Sequence, residues 1–150
     1  MNGDRGKFDI GKLVAGGILA GVVMNICDYV SSNFILVNDW DRVARLRNMD
    51  MAVLGGTASL VTNIAVDFAL GFLIVFIYAA IRPRMGRGPA TATVAAFLAF
   101  LPEALYMATL ASAFYTWDVY VRSQALMLVS YLAGGISGAW IYSEPEDDPD

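Results

Sequence analysis

Four long apolar blocks alternate with short polar stretches along the chain, and the charged residues fall almost wholly in the gaps between the blocks. A helix needs about 20 predominantly apolar residues to cross the hydrocarbon core of a bilayer. Four segments meet or approach that length: residues 13–37, 57–81, 90–114 and 124–142. The second carries the strongest pattern, ending in Leu-Gly-Phe-Leu-Ile-Val-Phe-Ile-Tyr, and the fourth is the shortest. The pattern predicts an all-α fold, an integral membrane four-helix transmembrane bundle. The first block follows Arg5, Lys7 and Lys12 as a signal peptide would, but it runs on through Asn25, Asp28 and Asn33 without a small-x-small cleavage site, so a retained helix is expected.

The stretches between the blocks differ in kind. Residues 37–56 place Trp40, Val43, Ala44, Met51 and Leu54 on one helical face and Asp41, Arg42 and Arg45 on another, which predicts a short interfacial helix between helices one and two, ending at a Gly55-Gly56 hinge. The next loop, Arg82-Pro-Arg-Met-Gly-Arg-Gly-Pro, presents Arg82, Arg84 and Arg87 as anchors for anionic headgroups. Basic residues flanking the blocks favour the side of residues 1–12 and of this loop as cytoplasmic, with both termini there. Aromatic residues are expected at the two interfaces: Trp40, Tyr115, Trp117 and Tyr120 at one, Tyr78, Trp140 and Tyr142 at the other. The run Tyr78-Ala-Ala-Ile-Arg-Pro-Arg84, continued by Gly86-x-Gly88-Pro89-x-Thr91-Ala92 and joined by Asn25-x-x-Asp28 in helix one, resembles a family of uncharacterised bacterial integral membrane proteins. That resemblance implies a multi-pass protein of the bacterial inner membrane and carries no activity with it.

Composition narrows the function classes. The chain is 57% apolar and 16% charged, against about 25% charged in soluble domains. Its net charge of −4 belongs to the end of the chain, where residues 143–150 hold Glu144, Glu146, Asp147, Asp148 and Asp150 and read as a disordered acidic tail. No basic stripe suited to nucleic acid is present. The absence of histidine removes the commonest general base and transition-metal ligand. Cys27, inside an apolar block, reads as a packing residue. No catalytic signature emerges: Gly134-Gly-Ile-Ser-Gly138 has the wrong spacing for a nucleophile elbow, and no cofactor or metal site is expected.

Each apolar block carries a stripe of small and polar residues, the usual mark of a packed face inside a membrane. Helix one gives Gly17, Gly21, Asn25, Asp28 and Ser32; helix two Ser59, Asn63, Asp67 and Gly71; helix three Ala96, Ala99, Glu103 and Tyr106; helix four Ser130, Gly134 and Gly138. Gly17, Gly21, Gly134 and Gly138 are close-approach positions serving either a neighbour within the chain or a second copy. At 1.5 Å of rise per residue, Asp28, Asp67 and Glu103 fall at about 13, 15 and 16 Å from the same side, near the bilayer midplane, with Asn25 and Asn63 beside them. Acids at that depth are costly and belong on inward faces. They serve either as protonated interhelical glue bonded to Asn25 and Asn63, as a proton or cation site, or as the polar end of a lipid- or quinone-binding pocket. The leading expectation is a small non-enzymatic protein acting as an oligomer or as an accessory subunit of a larger membrane complex, with membrane lipids and other subunits or itself as partners. A proton- or cation-handling protein is the alternative.

Overall fold

The computed structural model describes residues 9–50, 55–114 and 116–142. Arg5, Lys7, Met51, Leu54, Tyr115 and the acidic tail lie outside the described residues. Helix α1 (Ile10–Val30) starts where the Asp9 carboxylate accepts the Lys12 amide at 2.9 Å, and it runs without a break into a π-helical turn, Ser31–Ile35. There the Leu36 amide reaches the carbonyl of Ser31, five residues back, at 2.8 Å. Helix α2 (Val37–Arg47) follows at once. The remaining elements are α3 (Thr57–Met85), α4 (Pro89–Phe114) and α5 (Trp117–Tyr142).

Four stretches are long and apolar enough to cross a membrane: α1 with its π-helical turn, α3, most of α4, and α5. The chain is a multi-pass membrane protein built as a four-helix bundle. Helix α1 packs chiefly against α3 and α5, and α5 also against α4. The core is made of small residues between a few large ones: Ala20, Ala92, Ala95 and Ala96 are fully buried alongside Met24, Ile74, Val75, Tyr78 and Tyr131.

Three details differ from the sequence expectation. Helix α2 is capped by Asn48 in the left-handed conformation (φ 54°), well before the Gly55-Gly56 pair expected to end it. Helix α5 begins at Trp117 rather than near residue 124, and Asp118 and Arg122, which the hydropathy pattern assigned to a loop, lie in its first turns and pair with α2. Tyr78 and Tyr142 point into the bundle rather than outward. Both are buried, meet edge to face at 6.1 Å, and their hydroxyls accept the backbone amides of Gly88 and Asp9, each at 3.3 Å. The first bond ties the α3–α4 turn back to α3, and the second ties the start of α1 to the end of α5.

Candidate functional site

The stripes converge, and they bury unevenly. Near the chain termini the helices touch backbone to backbone. A Cβ placed on Gly71 would lie 2.6 Å from the Gly21 nitrogen and 2.8 Å from the Gly17 carbonyl oxygen; one on Gly138 would lie 2.6 Å from Val75 Cγ2 and 2.8 Å from the Gly16 oxygen. Gly17 and Gly21 admit the rings of Phe72 and Phe68, and Gly134 admits Met24. All four glycines picked from the sequence therefore serve contacts within the chain. None is left for a second copy, and Gly16 and Gly71 share the work.

Beyond this seam lies the polar level. Asp67 on α3 is buried, and its carboxyl is within hydrogen-bonding reach of Asp28 on α1. Asp28 also faces the buried Ser130 hydroxyl on α5, which lies 3.4 Å from the Met24 carbonyl. Ser130 has one proton and serves one of these acceptors at a time. Glu103 on α4 pairs with Gln124 of α5 and is within electrostatic reach of Asp28. Tyr131, fully buried on α5, is within electrostatic reach of Glu103, Asp28 and Asp67. Three acids on three helices thus share one neighbourhood, and α5 supplies the neutral groups that address them.

The two asparagines do not play the part expected of them. Asn25 donates to the backbone carbonyls of Gly21 at 2.9 Å and Ile64 at 3.5 Å, so it ties α1 to α3 rather than to a carboxyl. Asn63 is exposed on the outside of α3. Period alone put it on the face of Asp67, but most of the first turns of α3 are exposed among the described residues, and Asn63 is exposed with them. Ser32 and Tyr106, the ends of two other stripes, are also exposed, Tyr106 by 62%. Gln124 and Tyr131 were missed because neither falls on the small-residue stripe of α5. They lie about two helical turns apart on α5, so no single level along the chain singled them out.

From Asp28 a crevice of about 60 Å³ opens toward the α2 end, lined by Ser31, Ser32 and Ser123 together with Leu36, Trp40, Leu126 and Met127. That volume accommodates a few water molecules, with hydroxyls along the wall to bind them. The π-helical turn forms one side, and such turns concentrate at functional sites. Helix α2 covers the mouth and is held by charge. Asp39, buried, accepts from Arg42 at 3.3 Å and from Arg122 of α5 at 3.2 Å, and Arg42 also pairs with Asp118. The Asp118 carboxylate bonded to Arg42 holds that guanidinium above its ordinary pKa.

At the other end of the bundle, the Arg82 guanidinium packs 5.1 Å from the centre of the Tyr142 ring, while Arg84 and Arg87 are exposed. Among the described residues no three His, Cys, Asp or Glu side chains gather tightly enough to hold a metal ion. Set against family models, curated proteins and solved structures, the chain matches none.

Proposed function

We propose that this is a non-enzymatic, proton-handling membrane protein, in which the Asp28–Asp67 pair is the proton-binding group and the crevice beneath α2 is its route to water. The observation that carries the reading is the approach of these two carboxyls to hydrogen-bonding distance at the centre of a membrane bundle. Two carboxyl groups share a hydrogen bond only while one of them holds a proton, and two unshielded negative charges at that separation repel strongly. No Lys or Arg is available to them: the described basic side chains lie in the loops, in α2, or in the end turns of α1, α3 and α5. Intramembrane acids that face a hydrated cavity mark proton paths in other membrane proteins. The crevice beneath α2, with Ser31, Ser32 and Ser123 in its lining, supplies that cavity on the α2 side. With two carboxyls rather than three or more in direct contact, a proton suits the site better than a multivalent cation.

The test is reconstitution into phospholipid vesicles holding a trapped pH-sensitive dye, with a potassium diffusion potential as driving force. Wild-type protein is expected to acidify or alkalinise the lumen faster than protein-free vesicles, and the Asp28→Asn/Asp67→Asn double variant to return the rate to that background. A double variant as fast as wild type sinks the reading.

One observation favours a second reading, that the chain works as an oligomer or as an accessory subunit of a larger complex. Asn63 projects from an uncovered stretch of a membrane-length helix, where lipid tails offer its amide no partner and a neighbouring protein would. Native mass spectrometry from the source membrane tests this, and a solitary 16.2 kDa chain would refute it. For location, the basic flanks and the family resemblance support a bacterial inner membrane, with α2 on the outer face and both termini in the cytoplasm, the side on which Arg84 and Arg87 would meet anionic headgroups.

A further inference from the structure

The Asp28–Asp67 pair does not exhaust the polar chemistry at its level. Three more polar atoms are buried in the same neighbourhood with no hydrogen-bond partner: Glu103 Oε2, Gln124 Oε1 and the Tyr131 hydroxyl. Buried polar atoms in folded proteins are nearly always paired, with protein or with ordered water. None of the three has an easy escape. Tyr131 has 0% of its surface exposed, and Phe100 packs edge-on against its ring with centroids 5.5 Å apart, which fixes where the hydroxyl points. Glu103 and Gln124 lie within hydrogen-bonding reach of each other across α4 and α5.

The orphaned set has a definite chemistry of one donor, the phenol, and two acceptors, the carboxyl and amide oxygens. Water is its complement. It accepts from Tyr131 and donates to Glu103 Oε2 and Gln124 Oε1, and because about 10 Å of helix rise separates Gln124 from Tyr131, more than one molecule serves the set. An apolar ligand would satisfy none of the three. A cation would satisfy the two oxygens and leave the phenol facing positive charge. We propose that Glu103, Gln124 and Tyr131 bind ordered water inside the bundle, and that this water passes protons between Glu103 and the Asp28–Asp67 pair.

The proposal rests on the proton-handling reading and makes Glu103 the second station of the path. In the transfer, the O–H bond of protonated Glu103 breaks as an O–H bond forms on the bound water. A neighbouring water of the same hydrogen-bonded chain gives up a proton to the unprotonated carboxylate of the pair, so the waters together gain one proton and lose one. Electron pairs stay on their oxygens, one carboxylate is exchanged for another, and net charge is unchanged. The titratable groups facing the water from the packed helices are Asp28 of α1, Asp67 of α3, Glu103 of α4 and Tyr131 of α5. No basic side chain competes among them.

Two readouts on the full-length protein test it. Infrared spectra of the reconstituted protein, recorded in ordinary and in ¹⁸O-labelled water, report strongly bonded internal water through the isotope shift of its O–H stretch. Wild type is expected to show such a band, and Tyr131→Phe, which keeps the ring and its packing, to lose it. In the vesicle assay Tyr131→Phe and Glu103→Gln are each expected to slow the flux about fivefold, the scale of one lost hydrogen bond. The aspartate double variant abolishes flux outright. If Tyr131→Phe retains the water band, or if both variants conduct at the wild-type rate, the inference is overturned while the proton function stands. If wild type conducts no faster than empty vesicles, the proton function falls, and the isotope-sensitive band still decides whether the water is bound.

Discussion

The two ends of this bundle are packed by opposite rules. At the end that carries the chain termini, glycine and alanine bring α1, α3 and α5 into backbone contact, and Tyr78 and Tyr142 close the seam with their hydroxyls on the amides of Gly88 and Asp9. At the α2 end the same helices separate. The first turns of α3 are almost entirely exposed, α4 exposes Leu105 and Tyr106, and the junction from α1 into α2 is held by a π-helical turn and a cluster of opposite charges. The carboxyls sit where one regime gives way to the other. That position suits proton exchange: acids in the tight half would be sealed from water, and acids in the loose half would be ordinary surface groups. The difference follows from what drives association in lipid. Apolar side chains gain nothing by leaving lipid for one another, so helices close only where small residues permit backbone contact, and elsewhere polar bonds must hold them.

This contrast can be attacked from each side. The largest effect is expected at the tight end, where Gly138→Leu forces a side chain against Val75 and the Gly16 carbonyl. A loss of about 3 kcal/mol or more is expected, at the upper end of overpacking costs, and a titration of unfolding in mixed micelles checks it. A cost below about 1 kcal/mol would mean that the seam yields. Next comes the charge cluster. Asp39→Ala leaves Arg122 without this carboxylate and should cost about 1–2 kcal/mol, because one partner is buried while the guanidiniums are largely in solvent. Hydrogen exchange should speed up in α2 and leave α3 unchanged. At the boundary, Asp28→Asn and Asp67→Asn should each change stability by less than about 1 kcal/mol, since an amide replaces a protonated acid as a hydrogen-bonding group. Their effect belongs to proton flux, and a large loss of stability would make the pair structural instead. The smallest effect is expected at Asn63→Leu, within about 0.5 kcal/mol for the isolated chain. In the native membrane the same change should shift the assembled mass if a partner covers that face.

Much of this was legible in the order of residues. Hydropathy located the four crossings because the bilayer imposes a length that no other environment demands, and the amphipathic pattern located α2. Four-residue spacing found the acids and the glycine positions, since helical period alone sets which residues share a face. The period also misled at Asn63 and Tyr106: it says which residues align along a helix, and is silent on where along its length a neighbour is present. Tyr78 and Tyr142 were read as interfacial from their place near helix ends, yet their packing against each other inside the bundle buries both.

What the sequence determined by itself, then, was composition against solvent: a chain with so few charges outside its gaps must cross a membrane, and must turn its acids inward. Only the tertiary structure decided which groups those acids meet. Asp28 and Asp67 come within hydrogen-bonding reach, Glu103 within reach of Gln124, and Tyr131 within electrostatic reach of all three acids because of the way α5 docks on α1 and α4. Those are properties of helix pairs. Backbone contact at a handful of glycines sets them, and no single helix carries them in its own periodicity.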